Sequence, residues 1–301
     1  MSAPANGSLQ SLFATAQIPA LPQSAVRLLE LAQDPENGPV EYALPIEADP
    51  GLSTQVLRFV NSSYFGFSRE ISSVRHALSL VGTRAVKNFV LWSAVFGISP
   101  KPKCGPFDVR ALWQDSLRRG LFARSLGKHL GKNDSEDVFT AALLQDMAIP
   151  LLASQLPKEY GDLLERRQQG KTRLSDLEEA KFGWNHASAA GILARQWHLP
   201  ERFAILIEKH LQLDDRITGT AADADVTVAL SSLLPASKDN RWPEASRFVE
   251  TFERVGGIEK DLPGLFASVD EQFEKFAPML NLSSPIRGLK ESIRDAHSVV
   301  G

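Results

Sequence analysis

The 301-residue sequence holds a single cysteine, Cys104, so it has no internal disulfide and no second thiol for a zinc or redox pair. Nothing in that count points to an oxidising compartment. No charge of one sign dominates either: 33 basic against 36 acidic side chains leave a formal charge of −3, which builds no whole-chain positive field for nucleic acid. Long hydrophobic runs are missing. The longest, Ala85 to Ile98, contains Lys87 and Asn88 and falls short of the ~20 residues that cross a bilayer, so it predicts a buried helix. Met1 to Gln10 is small and polar and lacks the basic start and apolar stretch of a secretory signal. Strand-like alternation is nearly absent, and the glycines at 256 and 257 lack the lysine and preceding strand of a phosphate loop. No nucleophile triad has a local signature. What remains is the expectation of a compact cytoplasmic protein, without membrane attachment, of about two domains.

The residues that are present predict helices almost throughout. Asp49 and Pro50 form a cap followed by proline at the first helical position, opening a helix to about Asn61. Ser73 caps Val74 to Val81, and Gly82 with Thr83 starts an apolar helix to Phe96. The same signals predict helices over Pro22 to Gln33, Val40 to Glu47, Val109 to Leu130, Glu136 to about Ile149, Pro157 to Gln169, Ser175 to Phe182, Asn185 to Trp197 and Pro200 to Leu211. Ser99 to Pro106, with three prolines and a glycine, cannot continue a helix. Residues 1–17 are then an N-terminal segment, 18–100 a first helical subdomain, 107–234 a larger second one, and 241–301 a helical C-terminal extension with Ser284 and Pro285 as a further cap and start. The expected fold class is all-α.

Function should surface where polar side chains fall on core-facing stripes, because an unpaired buried polar group costs ~1–3 kcal/mol. Gln145 lies within the stripe Val138, Ala141, Ala142, Ile149, with Asp146 beside it. His210 ends the series Phe203, Leu206, Ile207, and His186 opens its helix after Asn185. Asp115 sits at the edge of the face made by Leu112, Trp113, Leu117 and Leu130.

In order and spacing, several blocks resemble the HDOD (HD-related output domain) branch of the HD phosphohydrolase superfamily. In the first half these are Ile18 to Pro22, Ile46 to Pro50, Val56 to Ser62 with Tyr64 and Gly66, Ile71 to Ala77, and Leu80 to Thr83. In the second half they are Trp113 to Ser116, Ala142 to Met147, Phe182 to His186, Trp197 to Pro200, and Lys209 with His210. The resemblance extends from about Ile18 to Leu234 and implies a two-part helical HDOD fold. It does not explain the last sixty-odd residues.

Metal-dependent members of that superfamily hold a divalent ion with a histidine, a His-Asp pair and a distal aspartate. Carried over by position, the first histidine falls on Asp115, the pair on Gln145 and Asp146, the distal aspartate on Leu230, and two auxiliary histidines on His186 and His210. A neutral amide and an aliphatic side chain replace needed donors, and a water-activating metal requires about three anionic or imidazole ligands plus an open position. The resemblance therefore implies a degenerate site with no metal, no other cofactor and no catalysis, in a bacterial signalling or regulatory module. Such a module acts on a protein partner or small ligand, with the groove between subdomains as the contact and nucleic acid disfavoured by the charge balance. No Gly-Tyr-Pro signature of the cyclic-di-GMP phosphodiesterase branch occurs. The competing expectation is a metal-dependent phosphohydrolase with an altered ligand set, using Asp115, Asp146, His186 and His210.

The bland reading of those four residues is that they hydrogen-bond one another, Asp115 pairing with Arg119 one turn on. Asn61 is expected to hold the following turn, His76 to be an edge residue, His129 to sit at a helix C-terminus where positive charge is favoured, and His198 to lie at a helix exit. Lys101 and Lys103 read as a solvated linker. Phe59, Tyr64, Phe65 and Phe67 form an aromatic cluster that either packs the subdomains together or docks a partner.

Overall fold

The computed structural model describes residues 7–131, 134–168, 170–213, 224–255 and 261–300. Among these there are helices and turns and no strand. The first group comprises α1 (Gly7–Thr15), α2 (Gln23–Leu31), α3 (Pro39–Glu47), α4 (Pro50–Val60), α5 (Val74–Val81) and α6 (Thr83–Ile98). After an irregular stretch follow α7 (Val109–His129), α8 (Ser135–Leu144), α9 (Ile149–Gln155), α10 (Pro157–Arg166), α11 (Leu174–Phe182), α12 (His186–Gln196), α13 (Glu201–Glu208) and α14 (Ala224–Ser231). The chain closes with α15 (Ala245–Arg254), α16 (Leu262–Phe276), a single 3₁₀ turn at Ala277–Leu280, and α17 (Leu289–Val300).

Local chemistry accounts for several of these boundaries. The Asp49 carboxylate accepts from the Leu52 amide at 3.0 Å, and Asn185 accepts from Ala187 and Ser188 at 3.1 and 3.2 Å. Ser73 likewise caps α5, and Asp108 caps α7 by accepting from Arg110 and Ala111. At three places the chain departs from what the sequence predicts. The N-terminal segment carries a helix, α1, whose Leu9 and Phe13 reach the core. Ser284 and Pro285 start nothing: α17 begins at Leu289, and its first amides are met by Asp270 of α16, at 2.9 Å to Leu289 and 3.0 Å to Lys290. The helix expected from Glu136 to Ile149 breaks after Leu144, for a reason that bears on the site below.

One contiguous apolar core runs from Leu9 to Ile293, so α15 to α17 share it with the rest of the chain. Phe248 and Phe266 meet Phe122 of α7 there, with ring centroids 5.5 and 5.9 Å away. At its centre lies the α8–α9 segment, in which every residue from Val138 to Ala153 is buried. Residues Ser135–Gln155 are long and apolar enough to cross a membrane by composition, but 89% of the most apolar 18-residue window within them is buried inside the protein, as a core helix pair is.

Candidate functional site

Two structural features bring the polar residues of α7, α8, α12 and α13 together. Gly120 lets α7 lie directly on α8: a Cβ there would stand 3.1 Å from the ring and carbonyl of Phe139. Pro150 supplies the second. Its ring conflicts with the carbonyl four residues back, and it has no N–H to bond that carbonyl, which belongs to Asp146. The Asp146 carbonyl instead accepts from Ile149 at 3.0 Å, and residues 145–148 form a turn in place of helix. Gln145 and Asp146 therefore sit in a distorted turn within the core, 0% and 4% exposed.

Asp146 is the hub. Its Oδ1 lies 3.4 Å from Nε2 of His186 and 3.6 Å from Nε2 of His210, and one ligand atom from each of the three residues falls within 4.8 Å of the others. Its Oδ2 accepts a hydrogen bond from Nη1 of Arg119. Arg119 thus hydrogen-bonds Asp146 in the turn after α8, while Asp115, one turn back on α7, acts on it through charge. Asp115, also buried, accepts from the Ser237 amide at 2.6 Å. Burial raises the Asp115 carboxyl above its ordinary range, against the opposing pull of Arg119 and Arg118. Burial also pushes the Arg119 guanidinium down to about 10, which leaves it charged at neutral pH.

Each imidazole is oriented through its other nitrogen. Nδ1 of His186 is 2.6 Å from Oε2 of Glu178, which also accepts from the His186 amide at 2.8 Å, while Oε1 of Glu178 accepts from the Tyr160 hydroxyl at 2.7 Å. Nδ1 of His210 lies 2.6 Å from the Ile207 carbonyl, and its Nε2 is buried without a hydrogen-bond partner. Burial, and then the neighbouring His186, hold His210 well below the ordinary imidazole range, so it is neutral. His210 itself lies in the turn beyond α13, which ends at Glu208, two residues earlier than its stripe reaches.

Gln145 accepts a long 3.5 Å bond from Ser231, and its Nε2 has no partner. Leu230, beside Ser231, is fully buried and apolar. Asp146, His186 and His210 form a three-donor group able to hold a metal ion, while the superfamily's other ligand positions carry the Gln145 amide and the aliphatic Leu230. One carboxylate remains in reach of the two imidazoles, its second oxygen already holds a guanidinium, and Gln145 offers only an amide. A divalent ion there would meet the Arg119 cation inside the protein.

Sequence reasoning missed Glu178, Tyr160 and Ser231 and misplaced the role of Arg119. A signal for Glu178 existed: it stands four residues from both Leu174 and Phe182, on the stripe that turns inward. Arg119, Asp146, His186 and His210 line one end of a cavity of about 380 Å³, whose mouth carries the ion pairs Arg167–Asp239, Arg173–Glu244 and Lys238–Asp108. Among the remaining candidates, Asn61 exchanges two 2.7 Å hydrogen bonds with the backbone of Ile71, His76 is exposed on α5, His129 is the last residue of α7, and His198 has a φ of 55° past α12.

Comparison with known proteins places this arrangement. The chain is 27% identical over 218 residues to an uncharacterised protein of Treponema pallidum (strain Nichols), covering 69% of this chain and 42% of that protein. It is 31% identical over 172 residues to the cyclic di-GMP phosphodiesterase CdgJ of Vibrio cholerae serotype O1, covering 53% of this chain and 38% of that one. Each match therefore spans about two fifths of the relative's own length. An HDOD domain protein of unknown function from Geobacter sulfurreducens has the same fold, with a TM-score of 0.66 at 19% identity, covering 97% of this chain and 93% of that one. The HDOD domain pattern matches residues 18–213, across α2 to α13. The chain belongs to the HDOD domain family.

Proposed function

We propose that this protein is a non-catalytic regulatory module, in which the HD metal centre is degenerate and the fold acts by binding a partner or small ligand. The observation that carries this reading is the Arg119 guanidinium on Oδ2 of Asp146. A hydrolase needs that carboxylate for an ion and an open position for water; here an internal cation takes its charge. The Gln145 amide and the apolar Leu230 support the same reading. Division into an N-terminal part (18–100), an HD-like part (107–234) and a C-terminal extension goes with it as a proposal. Purified protein incubated with manganese and phosphomonoesters, cyclic nucleotides or nucleoside triphosphates is expected to release no product above a heat-inactivated control. Turnover that disappears on Asp146→Ala would overturn the reading.

One observation favours a second reading, an altered metal-dependent phosphohydrolase. Both imidazoles spend Nδ1 on an acceptor and turn Nε2 toward Asp146, the disposition that metal-ligating histidines adopt. A relative bears the name of a phosphodiesterase, though the match reaches 38% of it. Stoichiometric metal in the purified chain, lost on His186→Ala, separates the two readings.

A further inference from the structure

A second cavity, of about 600 Å³, opens between α4 and α6 on one side and α7, α8 and α16 on the other. Its walls are aromatic. Phe59 and Phe89 stack at 4.2 Å, Phe276 closes the deep side, and Tyr64, Phe65 and the exposed Phe67 continue the surface outward. Part of the aromatic cluster therefore packs α4 against α16, and part of it faces open space.

The charge lining this cavity is mainly positive. Arg84, Arg124, Lys128 and Lys275 stand against Glu136, which lies 3.9 Å from Arg124, and Lys275 also holds Glu271 at 2.6 Å outside the lining. Arg124 is buried between the rings of Tyr64 and Phe139, 4.8 and 4.7 Å from their centroids, and Nη2 reaches Gln272 at 3.1 Å. The guanidinium is thereby locked in place instead of sweeping through solvent. Asn88 adds a third element. Its Nδ2 donates to the Glu136 carbonyl at 2.9 Å, which fixes the orientation of the amide, and its Oδ1 is left buried with no partner in a residue only 1% exposed. An unmet buried acceptor is costly and calls for a donor.

From these elements we infer that the cavity is a binding site for a purine nucleotide: a flat base against the aromatic wall, one of its N–H groups toward Asn88 Oδ1, and its phosphate among the cations at the mouth. Base stacking on aromatic rings, cation contacts to phosphate and one polar anchor are how such ligands are held, and the volume suits a ligand of that size. The site is separate from the Asp146 centre and holds whether or not that centre binds an ion.

Isothermal titration of the full chain with AMP and GMP, and in parallel with adenosine and inorganic phosphate, tests it. Binding of at least one nucleotide is expected with Kd below about 1 mM, at least tenfold tighter than adenosine or phosphate alone, and weakening as salt rises. Phe67→Ala and Lys128→Glu, both at exposed positions, are each expected to weaken binding about tenfold. Asn88→Leu is expected to weaken it further, and the two surface variants decide the matter should Asn88→Leu not fold. Absence of binding by both nucleotides overturns the inference, as does binding that the surface variants leave unchanged and Arg119→Ala abolishes, which would put the ligand in the other cavity.

Discussion

Arg119 lies on α7 and Asp146 in the turn between α8 and α9, and the guanidinium of one meets Oδ2 of the other, while Oδ1 of the same carboxylate faces two imidazoles. Removing the arginine leaves a buried carboxylate facing two imidazoles. Arg119→Ala is expected to cost about 3 kcal/mol of stability by chemical denaturation, the range for breaking one partner of a buried pair. A loss below about 0.5 kcal/mol, typical of surface pairs, would show that the contact is not held in solution.

Asp108 connects pH to stability. Its hydrogen bond from Lys238, helped by the α7 amides it caps, holds its carboxyl below the usual carboxylate range. Such a group stabilises the fold above its unfolded value near 3.8, and the contribution is lost as pH falls through the lower folded value. Asp108→Asn keeps an acceptor for the cap and removes the charge, so the loss of stability between pH 5 and pH 3 should be shallower than in the parent. Asp108→Ala should cost about 1 kcal/mol even at pH 7, through the cap. Superimposable pH profiles of parent and Asp108→Asn would contradict the assignment.

Asn61 clasps Ile71 across the intervening loop through both ends of its amide. Asn61→Ala should therefore lower stability by about 1–2 kcal/mol for two hydrogen bonds, with faster amide exchange at Ile71 as the local signature. Unchanged exchange there would rule out the clasp.

The C-terminal extension is predicted to be structural. Phe266 is fully buried against Phe122 and Phe248. Phe266→Ala should cost about 3–5 kcal/mol, with a single unfolding transition for the whole chain. A separate early transition that takes α15 to α17 alone would show instead that they are an appendage.

What was legible in the sequence follows the range of the interactions. Asp49, Ser73 and Asn185 act on amides two or three residues away, and their helices start where these residues indicate. The stripe through Phe203, Leu206 and Ile207 leads to a buried His210 because the periodicity outlasts the helix by two residues. Asp270 capping α17 from nineteen residues away has no local trace, so Ser284 and Pro285 were the only visible start. The choice of Arg119 between Asp115, one turn away, and Asp146, across a helix contact, depends on how closely Gly120 lets two helices approach. The break at Asp146 does have a local signal: a proline four residues on removes the bond to its carbonyl.

The account turns on whether the Asp146 carboxylate is available to a cation, and elemental analysis of the purified protein after exposure to zinc, manganese and iron answers that most directly. The parent chain should carry well under one equivalent of any of them, and Arg119→Ala, with its three donors released, should retain more. One equivalent of metal on the parent, bound as firmly as on Arg119→Ala and lost on His210→Ala, would contradict it.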